Sequence, residues 1–101
     1  MLIKFHPKAD IELQEAIHWY ASKRLGLDYE FMRCVDETIS RITSDPEMFP
    51  VALRNTRKAM VRRFPYIIYY EIRKNELMVL AVFHSKRNPV NWQGRNQQQV
   101  D

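Results

Sequence analysis

A chain of 101 residues, 46% hydrophobic and 28% charged, has the composition of one ordinary globular domain, and its two glycines and five prolines argue against a long disordered or low-complexity region. The single cysteine, Cys34, excludes an internal disulfide, and no apolar run approaches the ~18–20 residues that span a bilayer. The net charge of +4 favours an anionic partner, nucleic acid or an acidic protein segment, although a solvated basic face fits the same charge. No apolar signal segment opens the chain, so the expected location is the cytoplasm and no membrane partner is expected.

Leu2–Ile3–Lys4–Phe5–His6 alternates weakly and reads as a first strand, with Pro7 suited to the first turn of a helix. From Lys8 to about Leu25, Ala9, Leu13, Ala16, Ile17 and Tyr20 recur at three- and four-residue steps and form one apolar stripe. Trp19 falls beside the stripe and is expected to pack with it, as is Tyr20. Asp10, Glu12 and Glu15 near the start and Lys23 and Arg24 near the end complement the helix dipole. Gly26 is placed to cap this helix and Asp28 to cap a second one. Phe31, Val35, Thr38, Ile39 and Ile42 supply the second helix's buried face, with Cys34 near its edge, and Asp45–Pro46 stops it. The short link predicts an antiparallel helix hairpin.

Residues 46–50 read as an irregular connector and Leu53–Lys58 as a basic loop entering a strand. Ala59, Val61 and Arg63 alternate with Met60, Arg62 and Phe64 in a half-buried strand pattern that Pro65 interrupts. Tyr66–Tyr70 and the seven-residue apolar run Leu77–Phe83 read as strands, the latter buried on both faces. Arg73–Glu76 joins them in a hairpin turn. Pro89 ends the last strand region, and the polar tail beyond Trp92 is expected to fray. The predicted fold is α+β, with a helix hairpin on one face of a mainly antiparallel sheet. The first strand should lie at an edge or beside the last strand. Basic groups gather at the ends of the apolar ladder: Lys58, Arg62 and Arg63 on one side, His84, Lys86 and Arg87 on the other.

Four stretches carry a resemblance to the RelE/ParE superfamily of type II toxin–antitoxin toxins, nearest the ParE-like "plasmid stabilization" proteins. They are Phe5–His6–Pro7; Ala16–Ile17–His18–Trp19–Tyr20; Val61–Arg62–Arg63–Phe64–Pro65–Tyr66 with Ile68–Tyr69–Tyr70; and Val82–Phe83–His84–Ser85–Lys86–Arg87–Asn88–Pro89 with Trp92 after it. The resemblance implies a single toxin domain over residues 1–95, with 96–101 as the tail. It implies the same α+β fold, growth arrest on expression, and a cognate antitoxin that covers the toxin with a flexible, often acidic segment in a hetero-oligomer. The helix hairpin is one expected docking surface for an antitoxin helix.

Two activities are implied by the superfamily. ParE-like members bind DNA gyrase and trap its cleavage complex without hydrolysing anything, and this is the preferred reading. RelE-like members cut mRNA on the ribosome, and are the alternative. Cutting RNA by 2′-OH attack needs an acid, a base and positive charge on the transition state. His84 could shuttle the proton, since a histidine changes charge near neutral pH, and Arg62 and Arg87 could clamp the phosphate. Nuclease members often place a tyrosine near the end of the last strand, whereas here Ser85 follows His84 and no tyrosine follows Tyr70. The residues expected to touch target or antitoxin are therefore Lys58, Arg62, Arg63, His84, Lys86, Arg87 and Trp92. Trp92 could instead close the sheet, His84 could serve only its strand end, and a plain nucleic-acid-binding module remains a third reading.

No metal or cofactor is expected. His6, His18 and His84 lack paired ligand spacing, two glycines cannot build a phosphate-binding loop, and no nucleophile elbow is present.

Overall fold

The computed structural model describes residues 1–95. In chain order these form β1 (Leu2–Phe5), α1 (Pro7–Lys23), α2 (Leu27–Ser44), β2 (Val51–Leu53), β3 (Thr56–Met60), β4 (Tyr66–Arg73) and β5 (Glu76–His84), followed by a 3-10 turn at Pro89–Trp92. The strands make one sheet in the order β1-β5-β4-β3-β2. β1 runs parallel to β5 and all other pairs are antiparallel. The expected α+β architecture is present, and β1 is both an edge strand and the neighbour of the last strand. No helix among the described residues is long and apolar enough to cross a membrane.

The helix pair covers one sheet face because both apolar stripes point at it. Ala9 and Ala16 of α1 and Phe31, Val35, Ile39 and Ile42 of α2 join Ala59, Ile68, Tyr70, Leu77, Val79 and Val82 in one core. Small residues on α1 let that helix lie close to β5. Tyr20, Phe31, Phe64 and Tyr66 interlock above the start of β4, with Tyr20–Phe64 and Phe31–Phe64 centroids 4.9 and 5.1 Å apart in edge-on geometry. Tyr20 thus packs as expected. Trp19 does not: it is 56% exposed, with Lys23 Nζ 3.9 Å above its ring. The opposite sheet face carries a second apolar cluster of Tyr69, Met78, Leu80, Ala81, Phe83 and Trp92. β5 is therefore buried on both sides.

Three local expectations are corrected. Gly26 does not close α1, which ends at Lys23 with extended Arg24 as its cap; Gly26 begins α2 in the left-handed region at φ +84°. Asp28 lies inside the first turn of α2, so it meets the helix dipole but caps nothing. The basic stretch read as a loop is a hairpin of β2 and β3. Arg57 Nη1 fastens it by donating to the carbonyls of Glu47 and Phe49, at 3.2 and 2.6 Å. β3 ends at Met60 rather than near Phe64, because the chain turns at Arg63, whose φ is +68°. The β4–β5 turn is Lys74–Asn75, both at positive φ, a geometry that matches strand twist.

Candidate functional site: the basic sheet end

Tyr66 and His84 are register partners at the end of the β4–β5 ladder, and the Ser85 N–H donates to the Pro65 carbonyl at 2.8 Å. This pairing brings the segment with Arg62 and Arg63 to the same sheet end as Lys86 and Arg87. Lys58 lies on β3, opposite Tyr69. The His84 ring stands edge-on to Tyr66 at 5.4 Å, and its Nδ1 accepts the Lys86 N–H at 3.1 Å. Burial pushes the Tyr66 phenol up, and the nearby Glu15 carboxylate adds to the effect.

Each arginine has an acidic neighbour. Arg62 meets Glu37 at 3.5 Å and Arg63 meets Glu30 at 3.3 Å, both on α2, while Arg87 meets Glu12 of α1 at 3.1 Å. The Arg62 and Arg63 side chains remain largely in water, and Arg87 is partly exposed. The two exposed pairs on α2 contribute about 0–1 kcal/mol each. They orient the cations without withdrawing them from an incoming anion. Trp92, expected either to close the sheet or to meet a partner, is 2% exposed and stacks at a tilt on Tyr69 at 4.8 Å. It closes the sheet from behind.

Two residues that sequence reasoning did not single out organise this end. β1 stops at Phe5, opposite Val79, so the outer edge of β5 loses its strand partner beyond that point. The Glu12 carboxylate takes over: Oε1 accepts the Val82 N–H at 3.0 Å. Arg95 completes the replacement, donating to the Leu80 carbonyl at 2.8 Å and to both Glu12 oxygens at 3.0 and 2.8 Å. Both side chains are more than nine-tenths buried. A buried carboxylate and guanidinium are tolerable together because each neutralises the other and both meet backbone partners. Arg95 therefore corrects the expected fraying beyond Trp92. The rest of that tail, 96–101, lies outside the described residues. The signal for Glu12 was available, since an acid three residues after Ala9 and four before Ala16 sits on the buried stripe.

The family model described as ParE toxin of type II toxin-antitoxin system, parDE, matches residues 3–89. The chain belongs to the ParE toxin family. Its fold is similar to that of a solved chain from the chromosomal ParDE toxin–antitoxin system of P. aeruginosa, with a TM-score of 0.59 and 16% identity, covering 83% of this chain and 95% of that one. No curated protein matches the chain. In this ParE-family toxin the cations named for a phosphate clamp are held by different helices, Arg62 by α2 and Arg87 by α1. Among the described residues no three His, Cys, Asp or Glu side chains gather as a metal site.

Proposed function

We propose that this ParE-family chain arrests growth in the cytoplasm by binding DNA gyrase and holding its cleavage complex, and that a cognate antitoxin neutralises it. The observation that carries the reading is the exposed basic sheet end on a ParE-family fold. Lys58, Arg62, Arg63, Lys86 and Arg87 offer cations there, and the partners of Arg62 and Arg63 are surface carboxylates of α2 that a partner's acidic groups replace at little cost. His84 acts here as a contact residue on the rigid end of β5, and Trp92 supports that end from beneath. The last strand ends in His84–Ser85 and no tyrosine follows Tyr70, which favours contact over RNA cleavage.

The test is a supercoiling and cleavage assay with purified gyrase. The expected result is accumulation of double-strand breaks that disappears when the adjacent gene's product is added. Folded chain that leaves gyrase unaffected, yet cleaves mRNA in a translating extract, would overturn the reading in favour of a ribosome-dependent ribonuclease.

A further inference from the structure

A cleft of about 220 Å³ opens between α1 and the end of β5, beside the basic sheet end. Its helix side follows from spacing: Glu12, Ala16 and Trp19 recur at steps of four and three with Glu15 beside them, so all four share one face of α1. Tyr66, His84 and Arg87 line the sheet side. Trp19 is 56% exposed, and Lys23 Nζ stands 3.9 Å above one face of its ring, which leaves the other face open. Glu12 is engaged by Val82, Arg87 and Arg95, whereas Glu15 makes no hydrogen bond or ion pair with any described residue. His84 Nδ1 accepts the Lys86 N–H, so a neutral His84 carries its proton on Nε2 and can donate.

These charges select the guest. Arg87 on the sheet side and Lys23 above the indole repel a cation, while the free Glu15 carboxylate repels a simple anion. A flat ring with N–H groups on one edge and an anion at its far end satisfies all three: the ring stacks on Trp19, the N–H edge meets Glu15, and the anion lies toward Lys86 and Arg87. A nucleotide has this form. Guanine is the base whose neighbouring N1–H and N2–H groups reach both oxygens of one carboxylate, and its O6 then lies beside the donors of Tyr66 and His84. Adenine and cytosine set a ring-nitrogen acceptor next to their amino group, which a carboxylate repels. The cleft admits a base but not a whole nucleotide, since drug-sized ligands fill about 300–1,000 Å³. Sugar and phosphate stay outside, where the cations are.

We infer that this cleft binds a guanine nucleotide, with the base on Trp19, its N–H edge on Glu15 and its phosphate beside Lys86 and Arg87. It is a binding site only: no bond in the guest is broken, and the inference holds whether or not gyrase is the target.

The experiment is titration of the full chain with GMP, AMP, CMP and inorganic phosphate, read from the indole N–H resonances of the two tryptophans by NMR. GMP should move the Trp19 resonance, leave that of the buried Trp92 in place, and bind at least about ten-fold more tightly than AMP or CMP. Glu15→Gln should remove most of that preference, because an amide accepts at only one of its two end atoms. Trp19→Ala should weaken every nucleotide about ten-fold. Both side chains are exposed, so these variants should fold; if Trp19→Ala does not, Glu15→Gln still decides. Equal affinity for GMP and AMP, or a preference that survives Glu15→Gln, would overturn the inference. So would phosphate binding as tightly as GMP, a shift at Trp92 instead of Trp19, or no binding of GMP at millimolar concentration. A short single strand with one unpaired guanine separates the sources. Tighter binding than GMP assigns the guest to nucleic acid, and binding no tighter assigns it to the free nucleotide; the base site stands in both cases.

Discussion

Two strands of this sheet outrun their neighbours, and the chain treats them differently. Where β1 ends, β5 is sealed by a carboxylate from α1 and a guanidinium from the C-terminal segment, at 3.0 Å on the Val82 N–H and 2.8 Å on the Leu80 carbonyl. Where β2 ends, β3 meets a groove ringed by Arg41, Lys58 and Arg62. Exposed strand edges are aggregation liabilities, and natural proteins cover or charge them. The sealed edge is a structural repair. At the open edge the Lys58 N–H donates to the Pro50 carbonyl, and alternation turns the Met60 amide outward beside these cations.

Breaking the seal should have the largest effect. Glu12→Ala leaves Arg95 buried without its counter-charge and the Val82 N–H without an acceptor, so a loss of about 3–5 kcal/mol is expected in urea unfolding. Arg95→Ala should cost less, about 2 kcal/mol, since Glu12 keeps Val82 and Arg87 as partners.

A smaller effect concerns the segment that decides where β2 ends. The Tyr70 hydroxyl donates to the Pro46 carbonyl at 2.7 Å, and burial pushes its phenol up to about 12, with Asp45 adding and Arg57 opposing. Its ordinary value is near 10. A group whose pKa rises on folding stabilises fully below the unfolded value and loses that contribution as pH climbs through the folded one. Stability should therefore fall between pH 10 and about 12. Tyr70→Phe should lose about 1 kcal/mol at neutral pH and flatten part of that alkaline decline, the remainder belonging to Tyr20, Tyr66 and Tyr69, whose phenols burial also raises.

The smallest effect belongs to the open edge. Met60→Ser should change stability by no more than about 0.5 kcal/mol, because more than half of that side chain is already in water. A large loss there would mean the edge is part of the core after all.

The elements legible in the sequence were those with a strong period or a long apolar run. The α1 and α2 stripes, and Leu77–Phe83 as a strand buried on both faces, follow from local pattern alone. β2 was not legible because Val51–Ala52–Leu53 is short and exposed, and depends on Arg57 reaching back to Glu47 and Phe49. The basic groups of the sheet end were legible as residue types, but their pairing with Glu12, Glu30 and Glu37 depends on helix placement. Trp19 and Trp92 illustrate the same limit. A tryptophan beside a helical stripe turned out, and one in a polar tail turned in, because tertiary packing rather than neighbouring sequence set their burial.

The most direct measurement is amide exchange of Val82 and Met60 in the free protein, read side by side. Val82 should exchange as slowly as the interior amides of β4 and β5, and Glu12→Gln should accelerate it. Met60 should exchange at nearly the rate of an unstructured amide. Equal protection at both positions would contradict the distinction between a sealed edge and an open one.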